Sequence, residues 1–168
     1  MGTSGYLLSV TLHVLAACVW VGSGVFLAAG VLPYFRKRPL GEMLDFVAWS
    51  APRLRWLGWS SFAVLLVTGV VNLAYRGFAW SRLVAGDLSQ DPFVHTLFEK
   101  LVLVTLVMGL AAYHDFWLGP RTLELRRASP DSLAAQRARR LTIRVGQLNL
   151  LLTLLVVVTA VMLVRGRP

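Results

Sequence analysis

Four long apolar blocks constrain this chain more than any other feature. They cover residues 6–32, 56–75, 93–118 and 141–164, and each is long enough to cross a hydrocarbon core, which takes roughly 20 helical residues. Backbone N–H and C=O groups find no water in lipid, so a spanning segment must satisfy them internally, as a helix does. No period-2 alternation runs through the blocks, which argues against strands. The expected fold class is all-α: a four-helix transmembrane bundle, up-down-up-down, forming a single integral membrane domain over residues 1–168. Composition agrees. Of the residues, 57% are hydrophobic and 15% charged, where a soluble domain carries about a quarter charged.

Proline and tryptophan positions mark the ends of the blocks. Pro33, Pro52, Pro92 and Pro120 sit at block edges, where proline is expected to begin or end a helix. Trp49, Trp56, Trp59, Trp80 and Trp117 lie near block ends, as an interfacial belt requires. Trp20 alone lies mid-block. The first block has too long an apolar core for a cleavable signal peptide and no basic run before it, so a retained span is expected. Cys18 is the single cysteine, which excludes an intrachain disulfide.

The net charge of +9 is distributed as topology demands. Arg36, Lys37, Arg38, Arg53 and Arg55 lie between blocks one and two. Arg121, Arg126, Arg127, Arg137, Arg139, Arg140 and Arg144 lie between blocks three and four, running into the fourth. These are twelve of the 17 basic residues. Basic short loops stay in the cytoplasm, so both termini and the 76–91 connection are expected outside a cell inner membrane. Membrane topology and anionic lipid contact account for the basicity without nucleic acid. Two cytoplasmic segments are expected to carry structure. Residues 41–50 place Met43, Phe46 and Val47 on one side, as an interfacial helix would. Ser129-Pro130-Asp131 reads as a capped start for a helix over 133–140 that leads into span four. No Gly-rich phosphate loop, Ser/His/Asp pattern or paired zinc-type cysteines specifies a catalytic chemistry.

Ionisable groups inside a span are expensive and are candidate functional residues by default. His13 lies about eight residues into span one, roughly 12 Å deep, and Lys100 about seven residues into span three, at similar depth. Glu99 precedes Lys100, and His95 shares its face at i,i+4 spacing. Asn72 ends span two at the same side, with Thr68 and Ser61 preceding it. The expectation is that His13, Asn72, His95, Glu99 and Lys100 converge in the outer half of the bundle. His13, Ala17, Trp20, Gly24 and Ala28 form one stripe, whose small residues suit close helix packing. Trp20 on that stripe either walls a pocket or simply packs. A second polar group, His114 and Asp115 with Arg144, Gln147 and Asn149, lies about 14 residues from Lys100, roughly 21 Å away. His13 and His114 therefore cannot share one metal. An interfacial ion-pair cap is the simpler account of His114–Asp115.

Neutral imidazole binds copper, zinc or heme iron. A metal reading uses His13, His95 and Glu99. A heme reading sets His13 and His95 as axial ligands, with Lys100 beside Glu99 or a propionate; Trp20 and His114 are further candidate cofactor-binding residues. No Met-x-x-Met or His/Met-rich tract is present to bind Cu⁺. A buried polar knot in a non-catalytic membrane subunit or anchor is the third reading, with self-association through Gly24 and Ala28 as one form of partnership.

Leu12-His13-Val14-Leu15-Ala16-Ala17, Trp20-Val21-Gly22 and Leu32-Pro33 resemble the opening helix of the copper resistance D-domain membrane proteins. Arg53 to Trp59 with Leu66-Val67-Thr68-Gly69 resembles their second helix, and Glu99-Lys100-Leu101 with Gly119-Pro120 their third. The resemblance implies copper tolerance or uptake across an inner membrane. His13, Trp20, Lys100-Leu101 and Tyr113-His114 are also similar, in order, to the heme-binding membrane protoporphyrinogen oxidase family. That likeness implies heme b and functional roles for His13 and Lys100. The family's span-four Asn-Glu-Val-Pro segment is absent, and Gln147-Leu148-Asn149 stands near its place.

Overall fold

The computed structural model describes residues 3–35, 37–78 and 91–165. Arg36, Trp80, Arg82, Arg167 and most of the 76–91 connection lie outside the described residues. Among the described residues all regular structure is helical. Four stretches are long and apolar enough to cross a membrane: Thr3–Phe35, Leu40–Tyr75, Pro92–Ala128 and Leu133–Arg165. At most 22% of the most apolar window in any of them is buried. So large an exposed apolar surface suits lipid and not water.

The chain divides into two compact units, Met1–Ala79 and Trp80–Pro168. The first holds α1 (Thr3–Phe26), a π-helical turn (Leu27–Val31), α2 (Leu32–Phe35) and α3 (Leu40–Tyr75). Here α1 packs antiparallel on α3. Tyr6 meets Tyr75 at 5.5 Å between ring centroids, Trp20 meets Phe62 at 4.6 Å, and Phe35 meets Phe46 at 4.9 Å. The second unit holds α4 (Pro92–Tyr113), a π-helical turn (His114–Leu118), α5 (Gly119–Ala128) and α6 (Leu133–Arg165). Both α4 and α5 pack on α6. Thr122 Oγ1 lies 2.8 Å from Thr142 Oγ1, and His114 stands beside Gly146, so this pair is antiparallel too.

The helices run past the apolar blocks because three of the four edge prolines are absorbed rather than used as stops. Proline removes an N–H, and its ring presses on the carbonyl four residues back. Before Pro33 and before Pro120 the helix widens into a π turn. The Leu32 N–H bonds the Leu27 carbonyl, and the Gly119 N–H bonds the His114 carbonyl, each five residues back. This looser turn makes room for the ring. Pro52 lies inside α3, which continues through it; beside it Arg53 Nη1 donates to the Trp49 carbonyl at 2.6 Å, with its guanidinium 4.3 Å above the Trp49 ring. Residues 41–50, expected as a separate interfacial helix, are therefore the first turns of α3. Only Pro92 begins a helix as expected, at the first turn of α4 after the Asp91 cap.

Two smaller expectations also change. The residue capping α6 is Ser132 and not Ser129: its Oγ accepts from the Ala135 N–H at 3.1 Å. Trp49, Trp56 and Trp117 are well exposed, as a belt residue should be, but Trp59 is half-buried and packs on Phe62 at 5.6 Å.

The π turn ahead of Pro120 is tight. A Cβ on Gly119 would stand 3.0 Å from the His114 carbonyl oxygen, a backbone atom. Gly119→Ala is expected to cost about 1–3 kcal/mol, the usual range for overpacking, read as a lower thermal midpoint in detergent. Gly22→Ala is the control, because its Cβ would meet nothing within 4 Å among the described residues. That variant should be neutral or slightly stabilising.

Candidate functional site

In the first unit the site begins with two residues one turn apart on α1. Ser9 and His13 both reach Thr68 on α3: Ser9 Oγ lies 3.5 Å from the Thr68 carbonyl, and His13 Nδ1 lies 2.7 Å from Thr68 Oγ1. The Thr68 hydroxyl donates to the Val64 carbonyl at 2.6 Å, four residues back on its own helix. If the Thr68 proton stays on the Val64 carbonyl, Thr68 accepts from the His13 Nδ1–H, and in that neutral tautomer Nε2 is the lone-pair nitrogen. Gly69 lets the ring lie close to α3, since a Cβ there would touch His13 Cε1 at 3.6 Å. One turn beyond Thr68, Asn72 Oδ1 is buried with no hydrogen-bond partner among the described residues. Such an orphan atom calls for a bound water or ion.

The stripe carrying His13 faces α3 only as far as the helix stays regular. His13, Ala17, Trp20 and Gly24 are half-buried, but Ala28 is exposed. Ala28 lies in the π turn, whose extra residue rotates everything after Phe26 away from the stripe. Trp20 packs on Phe62, and its carbonyl accepts from Ser23 Oγ at 2.9 Å. It lies seven residues from His13, roughly 10 Å along the helix.

In the second unit Asp91 fixes where α4 begins. Its Oδ1 accepts from the Phe93 N–H at 2.8 Å, and Pro92 follows at the first helical position. That start places His95 one turn in, with Glu99 and Lys100 a turn further. His95 Nδ1 lies 3.3 Å from Glu99 Oε1, both side chains being partly exposed. Lys100 is half-buried. At the other end of α4 the π turn opens with His114, whose Nδ1 lies 3.0 Å from Asp115 Oδ1. Asn149 Oδ1 on α6 is buried without a hydrogen-bond partner among the described residues.

A common pattern emerges from these contacts. Two of the three histidines of the chain pair Nδ1 with an oxygen within hydrogen-bond distance, Thr68 Oγ1 or Asp115 Oδ1, whereas His95 Nδ1, 3.3 Å from Glu99 Oε1, makes no hydrogen bond among the described residues. An oxygen partner on one ring nitrogen orients the other and raises its basicity, which is how proteins prepare metal-binding imidazoles. Among the described residues no group of three or more His, Cys, Asp or Glu side chains forms a ready-made metal cage. The donors present suit an ion held by few ligands. Sequence reading placed Thr68 on the right face but did not identify it as the partner of His13, and it passed over Ser9. The i,i+4 spacing of Ser9 and His13 was the available signal.

Comparison with known proteins adds a family. The family model described as copper resistance protein D, CopD, matches residues 48–163. The matched segment contains Thr68, His95, Glu99, Lys100 and His114, whereas His13 and Trp20 precede it. An uncharacterized protein of Aquifex aeolicus (strain VF5) is 30% identical over 146 residues, covering 87% of this chain and 86% of that protein. No solved structure matches.

The proton placement on His13 can be checked directly. Nitrogen-15 spectra of histidine-labelled protein are expected to show His13 as the Nδ1–H tautomer. Thr68→Val removes the acceptor and should give a tautomer mixture. Stability should change little, because interhelical hydrogen bonds in membranes average only about 0.6 kcal/mol.

Proposed function

The chain belongs to the copper resistance protein D family, and on that premise we propose that it binds copper within the membrane through imidazole nitrogens, with His13 Nε2 as the principal donor. The observation that carries this reading is the 2.7 Å contact between His13 Nδ1 and Thr68 Oγ1, which orients the ring. For His13 the chain of contacts runs from imidazole to Thr68 to the Val64 carbonyl, so ring orientation and tautomer are held by α3. In the second unit His95 beside Glu99 offers an imidazole donor of its own, with the carboxylate to offset the charge of a cation held there. Lys100 tunes the charge near that pair. His114 with Asp115 lies 19 residues beyond His95, roughly 28 Å away, and would engage a separate ion.

Copper here is cargo. The donor set is imidazole and carboxylate, which both oxidation states accept, and not the thioether-rich set that selects Cu⁺ strongly. The orphan Asn72 Oδ1 supports the same reading, as a polar atom one turn from Thr68 that a hydrated ion would satisfy. With the basic loops taken as cytoplasmic, His13 would lie in the outer half of an inner membrane, and this donor would meet copper arriving from outside.

The test is copper titration of metal-free, detergent-purified protein against a competing chromophoric chelator. Wild type is expected to retain stoichiometric copper and His13→Ala to lose it. Thr68→Val should weaken affinity about 10- to 100-fold, the usual effect of losing the group behind a metal-binding histidine. A Soret band that disappears in His13→Ala would replace copper with heme b as the ligand. Retention of neither ligand would leave a membrane subunit or anchor held together by a polar knot.

A further inference from the structure

We propose that the groove between α5 and α6 binds the headgroup of an anionic phospholipid. The groove encloses about 310 Å³, near the lower end of the usual range for ligand pockets. It therefore suits a glycerophosphate group and the first part of an acyl chain better than a whole lipid. Its walls follow helical spacing. Tyr113, Trp117, Arg121 and Leu125 succeed one another along one side, and Ala134, Ala138 and Leu141 along the other. The two alanines leave the space. Thr122 and Thr142 close the helix pair alongside at 2.8 Å.

The groove is apolar at one end and basic at the other, which matches a lipid and no soluble anion. Tyr113, Trp117 and Leu141 belong to the apolar blocks, and Trp117 is 66% exposed. An exposed tryptophan at a span end sits at headgroup level. Arg121 and Arg137 line the same groove just beyond, both exposed, and neither guanidinium has a hydrogen-bond or ion-pair partner among the described residues. No acidic side chain lines the groove. Two unpaired guanidinium forks are the natural recognition element for a phosphodiester. The surrounding field is also positive. On α5, past the apolar stretch, the pKa of Arg126 lies below the ordinary arginine value, through burial first and the nearby charge of Arg139 second.

The experiment measures lipid binding to delipidated, detergent-solubilised protein by native mass spectrometry, with thermal shift as a second readout. Phosphatidylglycerol is compared with phosphatidylcholine of the same acyl chains. Wild type is expected to bind and be stabilised by phosphatidylglycerol selectively. The double variant Arg121→Gln/Arg137→Gln should bind it roughly 30-fold more weakly. A control pair on the same basic segment but outside the groove, Arg127→Gln/Arg140→Gln, should keep most of the affinity. Ala138→Leu, which fills the groove and keeps every charge, should also weaken binding. Equal binding of phosphatidylcholine would overturn the proposal, as would an equal loss in the control pair, which signals a diffuse basic surface. Stabilisation of wild type by inorganic phosphate alone, to the same extent, would overturn it in favour of a simple anion site.

Discussion

Hydrocarbon offers no hydrogen-bond partner, and this single fact organises the protein. Every backbone group in a span must be paired within its own helix, and every polar side chain must find a partner or return to the backbone. The hydroxyls show the second half of the rule. Ser61, Thr96, Thr105 and Thr142 each donate to the carbonyl four residues back on their own helix. A hydroxyl that has spent its proton in this way still has an oxygen able to accept. Thr68 uses that oxygen for His13, and Thr142 uses it for Thr122. The same local device thus joins α1 to α3 and α5 to α6.

Its consequence for chemistry is larger than its consequence for stability. A contact worth a fraction of a kcal/mol in a membrane nevertheless decides which imidazole nitrogen carries the lone pair. Carboxylates lie beside the other two imidazoles, Glu99 Oε1 3.3 Å from His95 Nδ1 and Asp115 Oδ1 3.0 Å from His114 Nδ1. Membership of the copper resistance protein D family directs attention to the imidazoles, the side chains of this chain whose ring nitrogens are able to ligate a metal. The π turns ahead of Pro33 and Pro120 belong to the same logic. They keep the helices continuous through proline, and one of them places His114 at its first position.

The architecture was largely legible in the residues. Block length located the four spans, and Pro92 marked the start of α4. The small-residue stripe pointed His13 toward protein. The errors were local and share a cause. Proline at a block edge was read as a stop, because in isolation it breaks the hydrogen-bond ladder. The helix runs on through Pro52 all the same, which no spacing rule encodes. Ala28 was assigned to the packing stripe on a constant helical period, which the π turn interrupts.

Hydropathy and charge alone were enough for an all-helical membrane protein with four spans, since lipid permits few other solutions for such a sequence. They also singled out the histidines, because an ionisable group amid leucine and valine is conspicuous. Only the packed helices decided that His13 meets Thr68, where the phase of a span shifts, and that two arginines distant in sequence line one groove. Those outcomes depend on the rotation and register of one helix against another. Many residues set these together, and no short motif records them.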